Sequence, residues 1–180
     1  MVIYGQHYFM APKVGDEAPS FEGISDDGSR VSLKDLLSKG EVVLYFYPKD
    51  ETPGCTAEAC AFRDRWGKIE ELGATVLGVS SDSVESHASF KAHHRLPFTL
   101  VSDEGQEIRS LYGAKGKFVS PRVTFVIGRD GIVRHVYRSQ VDAKSHVEEA
   151  IRALAKMKHV SSIEGGRGSA AEDEGRASSH

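Results

Sequence analysis

The stretch that decides the fold is VVLYFYPKDETPGCTAEACAFRD, residues 42–64. Its first part, residues 42–47, is apolar on both faces, rich in branched and aromatic side chains, and ends at Pro48, which is typical of a central buried strand. Thr52 and Pro53 are then residue types favoured at the N-cap and at the first position of a helix. The segment therefore predicts a buried strand, a loop, and a helix that carries Cys55 in its first turn.

Cys55 is placed where a helix favours a negative charge. The first turn presents unpaired backbone N–H groups and the positive end of the helix dipole, and both favour a reactive thiolate. Apolar residues recur at three- and four-residue spacing from Phe62 to Leu72, so one helix is predicted from about residue 53 to residue 72. A structural cysteine at the start of an ordinary helix is the plainer alternative, since Thr-Pro caps occur at many inert helices.

Strands and helices alternate on either side of this segment. Toward the N-terminus, Asp27-Gly28 marks a hairpin turn, and Ser32 followed by Asp35 marks the start of a short helix. Toward the C-terminus the periodic segments are a strand at 74–80, a helix at 82–94, a strand beginning at Leu96, a helix at 104–112, a hairpin around Asp130-Gly131, and a final helix at about 144–158. This order predicts an α/β fold, a central mixed β-sheet flanked by helices on both faces.

Length and charge exclude several classes of protein. The chain has 180 residues, 39% of them hydrophobic, which suits one domain with a continuous core. The formal net charge is -3 and no basic block is long enough to track a phosphate backbone, which argues against a nucleic-acid partner. No apolar run approaches the roughly 20 residues of a membrane span, and the opening residues are unlike a signal peptide. We expect a soluble, cytoplasmic protein without a membrane partner.

The chain divides into three parts by composition. Residues 1–12 show no clean period and are expected to be an N-terminal extension, while residues 13–158 are expected to form the single domain. The last twenty residues contain Ile163 as their only large apolar side chain. Residues 159–180 are therefore predicted to form a polar, disordered tail.

Only two cysteines occur, Cys55 and Cys60, five residues apart. This number is too small for the disulfide scaffold of a secreted domain and points to redox or metal chemistry. In an intact helix the two Cα atoms of such a pair lie about 8 to 9 Å apart, whereas a disulfide bridges no more than roughly 7 Å without backbone movement. If the pair forms a disulfide, the first turns of the helix must unwind, and the helix acts as a redox switch.

The quoted segment resembles the active-site signature of peroxiredoxins. With its Pro-x-x-x-Thr-x-x-Cys pattern ending at Cys55 and a second cysteine at Cys60, it is similar to the Q-type, or bacterioferritin comigratory protein, group of that family. The similarity continues through GVSSDSVESHASFKAHHRLPFTLVSDEG, residues 78–105, and PRVTFVIGRDG, residues 121–131, and so spans about residues 13–158. The resemblance implies a thioredoxin-like fold.

The resemblance also implies a role for each matching residue. Cys55 is the peroxidatic cysteine and Cys60 the resolving cysteine; Thr52 is the hydroxyl partner of thiolate and peroxide, Pro48 shields them, and Arg122 is the active-site arginine. A cation stabilises the thiolate, and N–H and hydroxyl donors support the charge that grows on the leaving oxygen. Supporting residues would be Gly54 and Glu58.

The family pattern leaves two alternatives for Thr52 and for Glu58. The Thr52 hydroxyl satisfies both the helix and the sulfur only if it accepts from the backbone and donates to sulfur. Glu58 either positions Arg122 or the neighbouring backbone, as the family pattern suggests, or is an exposed helix carboxylate.

The implied activity is a thiol-dependent peroxidase of the atypical two-cysteine kind. It would reduce hydrogen peroxide and organic hydroperoxides through a Cys55 sulfenic acid and a Cys55–Cys60 disulfide, and a dithiol such as thioredoxin or a glutaredoxin-like protein would restore the thiols. No cofactor, metal, haem or nucleotide is expected. The expected assembly is a monomer or a weak homodimer.

The sequence alone leaves three other hypotheses open. A metal site would recruit the cysteines with some of His87, His93 and His94, but their spacing is not that of structural zinc sites. A thioredoxin-like disulfide reductase would normally carry C-x-x-C, which this chain lacks. A non-catalytic redox sensor or chaperone would use the same disulfide once, whereas a peroxidase consumes many equivalents of peroxide.

Overall fold

A seven-stranded mixed β-sheet forms the centre of the protein. The computed structural model describes residues 10–166. The strands are β1 Glu22–Ser25, β2 Arg30–Ser32, β3 Glu41–Phe46, β4 Ala74–Ser80, β5 Thr99–Ser102, β6 Val123–Ile127 and β7 Val133–Arg138. The helices are α1 Leu33–Leu37, α2 Pro53–Asp64, α3 Trp66–Glu71, α4 Val84–His94, α5 Glu107–Leu111 and α6 Ser145–Gly166. The strand order is β2-β1-β5-β4-β3-β6-β7, which confirms the predicted fold class.

Strand β3 lies inside the sheet because it is apolar on both faces. It pairs in parallel with β4 and antiparallel with β6. Alternate side chains therefore enter two cores, with Val43 and Tyr45 on the side of α2 and α6, and Leu44 and Phe46 on the opposite side. The pairing of Phe46 with Val123 brings the chain that follows β3 next to the chain that precedes β6.

The helix predicted from residue 53 to residue 72 is in fact two helices. Arg65 leaves the helical region, with φ of -105° and ψ of 9°, and separates α2 from α3. The apolar spacing runs through the break, with Phe62 and Ile69 both buried in the same core. The spacing of apolar residues shows which side chains face the core. It does not show where a single residue interrupts the backbone hydrogen bonds of a helix.

Several other boundaries differ from their predicted positions. Strand β5 starts at Thr99 rather than Leu96, because Pro97 has no N–H to donate to a ladder. Helix α5 starts at Glu107, after Gln106 in the left-handed region, rather than at residue 104. Helix α4 starts at Val84 rather than residue 82, and the side chain of Ser83 caps it. By contrast, the predicted cap at Ser32 is confirmed, since its side chain accepts from the N–H of Asp35.

The predicted division of the chain into three parts stays a prediction, because the structure describes only part of each terminal segment. Helix α6 continues to Gly166, eight residues beyond its predicted end at residue 158, so the first part of the expected disordered tail is helical. Most of the N-terminal extension and residues 167–180 lie outside the described residues. Among residues 10–166, no helix is both long and apolar enough to cross a membrane.

Candidate active site

Cys55 lies in the first turn of α2, just beyond the end of the central strand. Thr52 is the N-cap, Pro53 is the first helical residue, and the loop from Pro48 to Thr52 connects them to β3. The Cys55 side chain is buried, with 1% exposure. The unpaired N–H groups of this first turn face the same end of the helix, so local backbone structure favours the thiolate.

Arg122 supplies a positive charge to this sulfur. It immediately precedes β6, and its Nη2 donates to Cys55 Sγ across 3.4 Å. Gly54 makes the approach possible, because a Cβ at that position would lie 3.0 Å from the same Nη2. The sequence-predicted Cys55, Gly54 and Arg122 therefore meet at one point.

Glu58 holds the guanidinium of Arg122 from the next turn of α2. Its Oε1 accepts from Arg122 Nη1 at 3.0 Å, and both side chains are buried. Burial raises the pKa of Glu58 to about 8, and the neighbouring charge of Arg122 only partly opposes this rise. The predicted alternative, an exposed helix carboxylate, is wrong; Glu58 contacts the arginine.

A buried histidine closes the far side of this group, and no sequence signal pointed to it. His146 Nδ1 lies 3.7 Å from Glu58 Oε2. The carbonyl of Ser139, 2.8 Å from His146 Nε2, can only accept, so Nε2 carries the hydrogen and Nδ1 accepts from the hydroxyl of Thr124 at 2.8 Å. Burial lowers the pKa of His146. The ring is therefore neutral and does not repel the nearby guanidinium of Arg122.

Thr52 occupies the N-cap position but does not cap the helix with its side chain. Its hydroxyl donates instead to the carbonyl of Lys49 at 2.9 Å. The predicted arrangement, in which it donates to sulfur, is therefore wrong for this state of the protein. The reason is the turn before it, where Glu51 takes a φ of 61° and brings the Lys49 carbonyl within reach. The lone pairs of Thr52 Oγ1 stay available to accept.

Pro48 lies in the loop before α2, and Cys60 lies within α2, after Cys55. Pro48 is half-buried at the start of the loop. Cys60 is half-buried on the next turns of α2 and lines a groove with Ala57, Ala61, Asp64, Arg65, Lys144, Val147 and Glu148. Both cysteines are free thiols and α2 is continuous between them. This is the reduced, closed arrangement that the helix geometry predicts.

A buried network beneath the loop was not found from the sequence. Asp50 Oδ2 lies 2.8 Å from His87 Nδ1 and also accepts from Ser86 Oγ at 2.8 Å. Asp50 Oδ1 accepts from the hydroxyl of Tyr47 at 2.6 Å. From the sequence, His87 is a candidate only for a metal ligand. In the structure it anchors the loop that leads to Cys55.

Arg109 joins the two backbone segments that flank the site. Its side chain is fully buried and donates to the carbonyl of Tyr47, next to Pro48, and to the carbonyl of Pro121, next to Arg122. It also donates to the carbonyl of Ala114 at 3.1 Å. Burial lowers the pKa of this arginine. An arginine that binds only backbone carbonyls leaves no motif in the sequence, because the identities of its partners are not constrained.

The histidines considered for a metal site do not gather around the cysteines. Among the described residues, donor atoms close enough to share an ion form two groups, Glu51 with His93 and His94, and Asp50 with Asp82 and His87. Neither contains Cys55 or Cys60, so the metal site that would recruit the cysteines is not formed. The sulfur chemistry rests instead on Arg122 and the helix terminus.

Comparison with known proteins identifies a family for this arrangement. The model of the AhpC/TSA family matches residues 14–136. The chain is 44% identical over 153 residues to a putative peroxiredoxin bcp of Coxiella burnetii, covering 81% of this chain and all of the relative. It is 42% identical over 146 residues to the chloroplastic peroxiredoxin Q of Suaeda salsa, covering 79% of this chain and 68% of the relative.

Solved structures show the same likeness. Peroxidoxin BcpB of Mycobacterium tuberculosis superposes with a TM-score of 0.78 at 36% identity, covering 81% of this chain and 98% of that one. The bacterioferritin comigratory protein of Xanthomonas campestris, described for its alkyl peroxide reduction activity, gives a TM-score of 0.70 at 30% identity, with 76% and 91% covered. These neighbours share the fold of this chain.

Proposed function

The chain belongs to the AhpC/TSA family and is a thiol peroxidase of the peroxiredoxin Q and Bcp type, and we propose that Cys55 is its peroxide-attacking residue. The observation that carries this assignment is the 3.4 Å contact between Arg122 Nη2 and Cys55 Sγ at the first turn of α2. A thiolate there is stabilised by a guanidinium and by the helix terminus. Within residues 10–166, no guanidinium donates to Cys60 in this way.

In the proposed first step, the Cys55 thiolate attacks one oxygen of the hydroperoxide. The S–O bond forms as the O–O bond breaks, which leaves a sulfenic acid on Cys55 and releases water or an alcohol after the leaving oxygen takes a proton. Arg122 stabilises the thiolate and then the charge that grows on the leaving oxygen. The lone pairs of Thr52 accept the hydrogen of the bound peroxide, and Pro48 limits the access of water.

In the proposed second step, Cys60 condenses with the sulfenic acid. The Cys60 sulfur attacks Cys55 Sγ, the S–S bond forms, and water leaves. The half-buried groove beside Cys60 gives this sulfur room to move, while Cys55 is fully enclosed. The helix must open for the two sulfur atoms to meet.

The family acts on peroxides with thioredoxin-type reductants. We propose that the reductant attacks Cys60 of the disulfide, because Cys60 is the more accessible sulfur in the reduced protein. Thioredoxin or a glutaredoxin-like protein fits this role. A monomeric or weakly dimeric assembly and a cytoplasmic location belong to the same proposal, and gel filtration and cell fractionation test them.

The test is peroxide consumption by catalytic amounts of protein with thioredoxin, thioredoxin reductase and NADPH. The parent is expected to turn over many times, Cys55→Ser not at all, and Cys60→Ser is expected to reduce one equivalent and then accumulate overoxidised Cys55. Intact mass after oxidation should show a loss of two hydrogens in the parent alone. Sustained turnover by Cys55→Ser would overturn the assignment, and a single equivalent in the parent would favour a redox sensor.

A further inference from the structure

Glu51, His93 and His94 form a compact group of donors on the active-site loop. Glu51 Oε1 lies 2.9 Å from His93 Nδ1, and Glu51 Oε2 lies 3.0 Å from His94 Nε2. We propose that these three side chains bind a divalent transition-metal cation, with Zn²⁺ as the best fit, and that the bound metal restrains the loop.

The donor set fits the chemistry of zinc. Two imidazole nitrogens and a carboxylate are typical zinc ligands, and ligands about 2.0 to 2.2 Å from a tetrahedral metal lie roughly 3.3 to 3.6 Å from one another. The three donor atoms in this group all lie within 4.8 Å of one another. Only small side-chain shifts would therefore complete three coordination positions, and water would take the fourth. The exposed Glu51 and His93 leave a path for a hydrated ion to enter.

The fold explains why two adjacent histidines reach the same carboxylate. Helix α4 ends at His94, and Arg95 follows in the left-handed region, so both imidazoles lie in the last turn at the open end of the helix. The two imidazole rings lie 4.3 Å apart. Glu51 faces them because its φ of 61° turns the chain outward directly after the buried Asp50. This pairing joins two segments 42 residues apart in sequence, so no short motif announces it.

The position of the group connects it to the reactive helix. Asp50 already fastens the loop to α4 through His87, and Glu51 fastens it again at the end of the same helix. Glu51 directly precedes Thr52, the N-cap of α2. A metal that joins Glu51 to α4 would therefore hold the start of α2 in its closed position.

The consequence for catalysis rests on the proposed function. Attack on peroxide takes place in the closed arrangement, so a metal at this site should leave the rate of attack unchanged. Disulfide formation requires the first turns of α2 to open, and a ligand that binds only the closed state disfavours opening by a factor of 1 + [Zn²⁺]/Kd, about a hundredfold at a hundred times Kd. Bound zinc should therefore prolong the life of the sulfenic acid.

The binding experiment avoids the thiols. Zinc chloride is titrated calorimetrically into the Cys55→Ser/Cys60→Ser protein, in which neither cysteine can bind it. Adding His93→Gln or Glu51→Gln should weaken zinc binding by at least about tenfold, since even the loss of an outer partner of a metal ligand typically costs 10- to 100-fold. The matched control is His135→Gln, which removes an imidazole from another His–Glu pair on β7 and should bind zinc as its parent does. The proposed site is wrong if the added His93→Gln change leaves zinc binding equal, or if the Cys55→Ser/Cys60→Ser protein itself binds no zinc.

The kinetic experiment uses one equivalent of peroxide and no reductant, so that zinc meets no other thiol protein. Formation of the Cys55–Cys60 disulfide is followed by acid quench and mass spectrometry, with and without saturating zinc. It should slow at least about tenfold in the parent and in His135→Gln, but be insensitive to zinc in His93→Gln. Slowing that survives in His93→Gln would mean that zinc acts on the thiols, and equal rates in the parent would overturn the restraint. If the parent forms no disulfide at all, the proposed function fails while the binding result stands.

Discussion

Asp50 and His87 form a buried contact between the active-site loop and helix α4. His87 Nε2 lies 3.1 Å from the carbonyl of Val101, which can only accept, so that nitrogen carries a hydrogen. The other ring nitrogen lies 2.8 Å from Asp50 Oδ2. The pair thus joins the loop of Cys55 to α4 and β5 through a fully enclosed hydrogen bond.

Replacing Asp50 by alanine should destabilise the protein strongly. The change removes the carboxylate that binds Tyr47, Ser86 and His87 Nδ1, and each buried polar group left short of a partner costs about 1–3 kcal/mol. Asp50→Asn should cost much less, because the asparagine side chain can still accept from Tyr47 and hydrogen-bond to His87 Nδ1. Urea unfolding measures both. The control Glu22→Ala breaks an exposed ion pair with Arg30 and should cost below about 1 kcal/mol. Equal losses for the alanine and asparagine variants would contradict this account.

Replacing Arg122 by lysine should slow the attack on peroxide although the charge is kept. Arg122 donates to Cys55 and to Glu58 from two different nitrogens, and a single ammonium group cannot reproduce that fork. Loss of one donor aligned on a developing charge typically costs 10²–10³-fold in rate. Rapid acid quench followed by mass spectrometry of Cys55 after one equivalent of peroxide measures the attack directly. Arg134→Lys, in an exposed ion pair, is the matched control and should react as the parent does.

The stability of the protein should fall as the pH rises from about 5 to about 8, and Glu58 should be a cause. Burial raises the pKa of Glu58 from 4.5 to about 8, so the unfolded chain loses this proton first. Between the two pKa values the folded state binds more protons, and stability declines by up to about 1.4 kcal/mol per pH unit. Glu58→Gln should remove this part of the decline, as seen in urea unfolding at several pH values. Glu70→Gln serves as the surface control, and an unchanged slope in Glu58→Gln would refute the assignment.

Much of the site follows from the sequence because its parts are local. The strand before Pro48, the helix start at Thr52-Pro53 and the position of Cys55 are decided within a dozen residues, and the structure has them all. The contact of Arg122 with Cys55 spans 67 residues. It was predicted only through the resemblance to a family, since no local pattern marks it.

The parts that were missed are contacts between distant segments. His146, His87 and Arg109 act through carbonyl groups or through partners on other elements, and neither kind of contact imposes a spacing on the sequence. The Thr52 hydroxyl was misassigned for a related reason. Its partner depends on the positive φ of Glu51, a backbone conformation that is uncommon for glutamate and was not anticipated.

Oxidation should open the first half of α2 while the rest of the sheet and helices stays closed. The helix is continuous from Pro53 to Asp64 with both thiols free. In an intact helix, the Cα atoms of residues five apart are separated by about 1 to 2 Å more than a disulfide can span. Hydrogen exchange followed by mass spectrometry should show that peptides covering residues 53–60 lose protection in the disulfide form, because a locally opened segment exchanges freely. Peptides of α6 should stay protected. The control is Cys60→Ser treated with one equivalent of peroxide, which carries the sulfenic acid without the disulfide and should keep α2 protected. Protection that survives in the oxidised parent would mean that the sulfur atoms meet by some route other than unwinding, and the requirement for an opening helix would then be wrong.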